Sequence, residues 1–594
     1  MILTLISAAV LSLSAAQDTL QAVNVVADRG VVVSRRDTVS VSPVQGVGET
    51  LLQFPGLYVG DYGGYSGLKS AGLRGFGSPH TVIYVDGVRV GNVQSGQADL
   101  GMLGLSSMGS VVADYAQNSL SFNTLRPVFK GVPIAGTARL YGGSFGTWQP
   151  YGRLDFRLGE RTSLSAHAGA LRTQGAFSLA DGTLWGNNDM QQLQAGLDLF
   201  GLLDGGDYHA KVFFNSADRG TPGSLSWPST DRQQDRNYLA QGVVRKAFGP
   251  VYTLNLSAKA AYDDLSYLSE WGDSRYKQTE FQLNSAHKFA LQPWWTVSLA
   301  ADAAWDGLKS DLYNESRLGG LAALASAFRL SRLQLDLAVE YAGVWDKGGQ
   351  SWNSLSPSVG LRWELLEGVD LVAFGRRAYR TPTFNELYYP GYGNPDLKPE
   401  DAWLADLGLD IVRKLGAWTW KTRLDGYYNY LTNKIISAPS EDPMVWLPYN
   451  VGKVQAMGAD LMAGADYTAG PWKAGLSARY GWQKAVDKTP DSYTYDQQIP
   501  YVARHTVVLL ANAAWKGWGL DAAWQLRAGR QDASGEMPDW STLDLGFGKD
   551  FCLGKAGVLG LKLRARNLLD CRYEIIRDYP MPGRNFLAGL EYRF

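Results

Sequence analysis

The chain has 594 residues, too many for one ordinary soluble domain, yet beyond its N-terminus it contains no apolar run of the roughly 18 residues that a membrane helix needs. A formal net charge of -1 gives no electrostatic case for a nucleic-acid partner and sets that function class aside. Apolar residues make up 45%, but Tyr (31) and Trp (20) together far outnumber Phe (20), the bias of rings with one apolar and one wet end, as at a membrane interface.

Residues Ile2 to Leu13 form a short apolar run followed by Ser14-Ala15-Ala16, which predicts an export signal over residues 1–16. Next comes a β-prone segment, 17–27, carrying Asp18, Thr19, Leu20, Val23, Val25 and Val26, with nothing near it to bury it. Such a terminus either frays or adds as a strand to the edge of a partner's sheet. From Gly46 to Gly56 one or two helical turns are expected, ended by Pro55-Gly56, and strands then alternate with glycine turns to roughly residue 125. Leu51, Leu52, Phe54, Leu57, Val59, Val82, Ile83 and Val85 supply a small core.

The focal stretch is Gly72 to Val90, GLRGFGSPHTVIYVDGVRV. Thr81 to Val85 reads as a buried strand, and Asp86-Gly87 is a tight hairpin turn. Gly72 to Ser78 lets the backbone fold closely while Arg74 and Phe76 project. Asp61 and Asp99 are the acidic candidates for a Ca²⁺ ion, against the commoner use of lone aspartates as turn caps.

From Thr137 onward the chain repeats one plan of about ten alternating residues and a turn. Leu333, Leu335, Leu337, Val339 and Tyr341 fall on one face, Gln334, Asp336, Ala338 and Glu340 on the other. Val297 to Trp305 and Trp418 to Gly426 alternate alike, as does the last strand with Phe586, Ala588, Leu590, Tyr592 and Phe594. Charged side chains in a dry sandwich core would cost several kcal/mol each, so the polar face is wet. An open sheet leaves edges that lipid cannot satisfy; closure into a transmembrane barrel removes them. At about 21 residues per strand and turn the count comes to about 22, within a tolerance of roughly 18 to 24.

Catalytic signatures such as HExxH, GxSxG, a P-loop or CxxC are missing, and His80, His167, His209, His287 and His505 are scattered, so an enzyme is not expected. Cys552 and Cys571 read as unpaired thiols.

The order of DTLQAVNVV, LLQFPGLYV, LRGFGS and VIYVDGVRV resembles the plug of TonB-dependent outer-membrane receptors. Tyr379 to Tyr388 with Gly393 to Glu400, Asn450 to Lys453, Ala565 to Asp570 and Pro582-Gly583-Arg584 are similar to that family's barrel motifs. Residues 100–136 keep only traces of its pattern. The resemblance selects 22 strands and implies a plug over 28–133 inside a barrel over 134–594. Residues 17–27 would be the TonB box, pulled by TonB with ExbB and ExbD in the inner membrane, and a terminal Phe resembles the assembly signal of outer-membrane barrels. Turns such as Leu203 to Asp207 would face the periplasm; 224–237, 385–400 and 437–450 would be external.

Function under this resemblance is uptake of a scarce large ligand. Length, the early box and the YPMPGRNF ending look most like cobalamin receptors. Haem or a ferric siderophore is the rival, because the RTP and NPDL segments also resemble haem receptors and His80 could ligate iron. A passive diffusion porin is the alternative of another class. The ligand side is expected to use Phe76, Ser78, His80, Tyr62 and Tyr65 at the plug apex. Trp227, Trp271, Tyr388, Tyr389, Tyr392, Trp446 and Tyr449 would serve in loops, where they stack on a flat macrocycle or hold a surface lipoprotein lid. Arg74 and Arg89 are the expected plug latches.

Overall fold

A computed structural model describes residues 35–129, 131–439, 446–532 and 534–594. The signal and TonB-box expectations, including Asp18 to Val26, lie outside the described residues. No helix there is long and apolar enough to cross a membrane; strands do the crossing.

Twenty-two antiparallel strands, from Ile134–Gly143 to Asn585–Arg593, close into a barrel. The last strand pairs with the first from Leu587 and Gly143 down to Arg593 and Thr137, and Phe594 exchanges two backbone bonds with Gly136. Alternation does what the sequence requires of it. In the strand Leu333–Asp346, Leu337 and Tyr341 face outward while Asp336 is buried inside. Exposed rings gather in two rows. Trp294 and Trp295 stack with Phe328, Trp418 with Trp420 and Tyr467, and Trp472 with Trp515 at the end with short turns. Trp305, Tyr341, Trp345, Trp403 and Tyr428 stand nearer the other end. Eight to ten tilted residues separate the rows, as in Trp295 to Trp305, so the apolar band is about 20–25 Å tall, the height of an outer-membrane hydrocarbon layer.

Connections alternate in length. Those on the side of Phe594 are a few residues, as at 204–205, whereas the other end carries 174–189, 221–231, 381–399, 488–504 and 567–584. Two expected loops are shorter than their sequences imply: strand Arg232–Phe248 takes in the second half of 224–237, and strands Trp418–Pro439 and Trp446–Ala469 take in both flanks of 437–450. Cross-strand pairing outweighs polar composition there.

Inside the barrel sits a five-stranded sheet whose order is Arg36–Ser40, Met108–Asp114, Ser119–Thr124, Val82–Val85, Val88–Val90. Residues 100–136, where the family pattern fades, thus contain two of its inner strands. Helix Val47–Leu51 covers the core, and the sheet closes on the Asp86-Gly87 turn, with both residues at positive φ. Leu51, Phe54, Leu57, Val59, Ile83 and Val85 are buried together as expected, whereas Val82 is only half-buried.

Candidate functional site

The site is the interface between inner domain and wall. Strand Lys69–Leu73 ends in a turn with Arg74 at φ 47° and Gly75 at φ 83°. A Cβ on Gly75 would come 2.6 Å from the Ala456 side chain, so only glycine lets the loop abut the wall. Phe76 then enters a pocket of small and apolar wall residues, Ala402, Leu404, Leu431, Val454, Ala456 and Ala485.

Beside it, four aspartates line three consecutive strands: Asp406 and Asp410 on Glu400–Leu415, Asp425 on Trp418–Pro439 and Asp460 on Trp446–Ala469. Asp425 and Asp460 are direct cross-strand partners, an arrangement that repels unless a cation intervenes. Arg74 is that cation. Its guanidinium lies 2.5 Å from Asp406, 3.0 Å from Asp460 and 3.6 Å from Asp425, between the faces of Tyr115 and Tyr427 at 4.1 and 4.4 Å. Burial works against the charge, but Asp406, Asp460 and Asp425 outweigh it and raise the Arg74 pKa above its ordinary value. Arg35 enters the same cluster from the N-terminal side. It is fully buried, 2.7 Å from Asp410 and in direct contact with Asp425, and Gly408 leaves the room it occupies. Arg423 satisfies Asp410 at 3.1 Å, and Arg479 reaches Asp37 at 3.0 Å and the Gln53 carbonyl at 2.8 Å.

A second contact joins the outward loops of the inner domain to the 379–400 segment. Arg380 binds Glu400 (2.7 Å) and Glu386 (3.0 Å), and Glu386 closes a capping box with Thr383. The His80 ring contacts Glu400 directly, and the Asn385 amide donates to the Gln94 carbonyl at 3.0 Å. On another wall Lys211 lies 3.1 Å from Asp198 and 3.4 Å from Asp86. Asp86, Asp198 and His209 come within metal-ligand spacing, but the Lys211 ammonium already supplies their cation.

Near the seam where the barrel closes, a cavity of about 280 Å³ separates the inner domain from the wall. Glu49, Asp61, Tyr65 and Lys69 face Arg139, Tyr141, Gln192, Asp544 and Arg566 across it. Arg566 pairs with Glu49 at 2.6 Å and donates to the Tyr65 hydroxyl at 3.0 Å.

Residues 132–568 match the family described as TonB dependent receptor-like, beta-barrel, and residues 16–123 match the TonB-dependent Receptor Plug Domain. The chain belongs to the TonB-dependent receptor family. It is similar to the Vitamin B12 transporter BtuB of Vibrio vulnificus (strain YJ016), 22% identical over 92% of this chain and 89% of that one. Among solved structures the receptor's fold is similar to the copper transporter OprC (TM-score 0.76, 15% identity, 94% of this chain and 99% of that one). It also resembles the unliganded ferric citrate transporter FecA (TM-score 0.76, 13% identity, 95% and 100%). These are the fold and family of transport receptors, not of enzymes.

Of the expected site residues, the receptor brings some together and disperses others. Arg74 is buried in its ion-pair cluster, but Arg89 is exposed and makes no ion pair among the described residues; its carbonyl accepts from Lys259 and its charge acts on the buried Asp306 of the wall. Strand alternation is the cause: Val88 faces the wall and turns its neighbour away. Phe76 is packed against the wall instead of standing at the apex, and one ring nitrogen of His80, Nε2, is engaged by Glu400. Ser78 donates to Gln97, Tyr62 meets Tyr579 edge-on, and Asp61 and Asp99 face Lys69 and Arg219. Trp227 and Trp271 are exposed, with relative exposures of 77% and 85%. The Tyr388 hydroxyl donates to Asp346, Tyr389 stands edge-on to Tyr313, Tyr392 bonds Ser437, and Tyr449 and Trp446 lie on a barrel strand. Cys552 and Cys571 are free.

Sequence reasoning missed Arg35, Asp37 and the aspartate cluster. The signal was there: Asp406, Asp410, Asp425 and Asp460 all fall on the polar face of adjacent strands, an acidic excess that calls for cations from outside the wall.

Proposed function

We propose that the receptor imports cobalamin across the outer membrane of a Gram-negative bacterium, driven by TonB acting on residues 17–27 with ExbB and ExbD. The observation that carries the transport reading is the salt-bridged seat of the inner domain: Arg35 and Arg74 both draw on Asp406 and Asp425. Arg35 stands nine residues after Val26. Among the described residues, tension on the box therefore reaches Arg35 first, then the edge strand Arg36–Ser40, which there pairs with one neighbour only. Removing Arg35 leaves the acid cluster short of a cation and weakens the hold on the whole domain. A porin has no use for such a seat.

Cobalamin is favoured over haem by the similarity to a relative named as a vitamin B12 transporter. The resting cavity of about 280 Å³ lies just below the range of about 300–1,000 Å³ typical of small-ligand pockets, so a macrocycle passes only once the inner domain moves. Trp227 and Trp271 offer flat faces to such a ligand, or to a lipoprotein lid. The rival reading, a metal complex, takes its support from the copper and ferric citrate transporters of like fold. Growth of a deletion strain on limiting cobalamin and, separately, on haem decides. Loss on cobalamin alone is expected; equal growth of deletion and parent on both overturns both assignments.

A further inference from the structure

The external segment 567–584 does not run along the rim. It folds back into the lumen as a narrow reverse turn: the Met581 amide donates to the Tyr573 carbonyl at 2.9 Å, Glu574 pairs with Pro580, and Asp578 at φ 65° makes the tip. Ile575, Ile576 and Met581 are buried in one core with Leu51, Leu57, Val59 and Leu100 of the inner domain. Tyr579 meets Tyr62 edge-on at 5.1 Å. A loop of the outer surface is thus part of the hydrophobic core of the plug.

The same segment is tied to its external neighbours. Arg577 reaches Asp532 at 2.9 Å, Arg572 donates to the Ser178 carbonyl at 2.7 Å, and the Leu225 amide donates to the Asp578 carbonyl at 2.8 Å. Leu225 belongs to the loop that carries the exposed Trp227. Tyr573, Ile575, Met581 and Pro582 also line the cavity at the barrel seam.

We propose that residues 567–584 are the outer gate of the lumen, and that a ligand engaging the Trp227 loop lifts this gate, uncovering the seam cavity and loosening the plug in one motion. This rests on the transport reading above. The gate cannot leave without exposing the apolar surface it shares with Leu57 and Val59, so lifting it destabilises the seated plug. Ligand energy enters through the differential contact with the lifted state, which a ligand indifferent to the two states cannot supply. The route from outside to plug runs Trp227, Asp578, Tyr579, Tyr62, and it needs no direct contact between ligand and plug.

Two experiments test this. In a Cys552→Ser/Cys571→Ser background, Tyr62→Cys and Tyr579→Cys are bridged with a bis-maleimide. Cyanocobalamin uptake is scored for the bridged chain against the same chain left unbridged and against the unsubstituted receptor; bridging is expected to abolish whatever uptake the unbridged chain shows while surface binding persists, and import by the bridged chain at the unbridged rate overturns the gate. The second needs no ligand. Ile575→Ser/Ile576→Ser is expected to raise conductance in planar bilayers and vancomycin sensitivity in cells, with the barrel still heat-modifiable on gels. Arg572→Ala/Arg577→Ala cuts the tethers without touching the core and is expected to act in the same direction. A pore that stays closed in both variants contradicts the proposal. If the unsubstituted receptor imports no cyanocobalamin, the ligand assignment fails and the conductance result alone judges the gate.

Discussion

Three aspartates from three strands converge on Arg74. Arg74→Gln strands those carboxylates in a buried site, where losing one partner of a buried pair costs about 3–5 kcal/mol. The expected result is an earlier unfolding of the plug in urea, with the barrel transition unchanged. Asp406→Asn in that background should recover part of the loss, and a double-mutant cycle measures the coupling. Arg89→Ala should shift plug stability by no more than about 0.5 kcal/mol, as for an exposed side chain that makes no ion pair among the described residues. Both arginines were visible in the focal stretch as cations beside glycine turns. Which one faces the wall depended on the register of a three-residue strand, and composition carries no register.

Asp61 on the plug gives a pH effect. Burial raises its pKa, with Lys69 pulling the other way. A raised carboxyl pKa means that the seated plug favours the protonated form, so its stability is greatest below the ordinary aspartate range and declines as pH rises through the raised value. Asp61→Asn should flatten this decline. Plug unfolding followed from mildly acid to neutral pH checks it, and an unchanged slope contradicts the assignment.

At the scale of elements, the barrel strands were legible because a two-residue alternation over ten or more positions admits few other structures, as Leu333 to Tyr341 illustrates. The inward fold of 567–584 was not, although Ile575, Ile576 and Met581 stood in the sequence: a loop that packs on a neighbouring domain has no periodicity, and its apolar residues look like those of any strand end. The 379–400 motif was read as a mark of kinship and turns out to be a socket, with Arg380 and Glu400 receiving His80. Closure depends on the last strand. Deleting Phe594 removes the two backbone bonds to Gly136 and the stack on Tyr592, and a lower yield of heat-modifiable, folded barrel is the expected outcome.

For the whole molecule, a barrel of 22 strands is wide enough to conduct unless filled, and the seated plug fills it. Bilayers containing the full chain should show no resting conductance, while removal of residues 35–124 should open a large pore. The export signal is an expectation from the apolar run Ile2 to Leu13 and the small residues after it, and the box an expectation from resemblance; both lie outside the described residues. The account stands or falls on whether force at that terminus is what moves the plug. The most direct measurement compares energised cells carrying the full chain with cells lacking residues 18–26, scoring cyanocobalamin bound at the surface and cyanocobalamin taken up. Equal surface binding with uptake lost in the deletion is the result expected; uptake that survives the deletion contradicts the account.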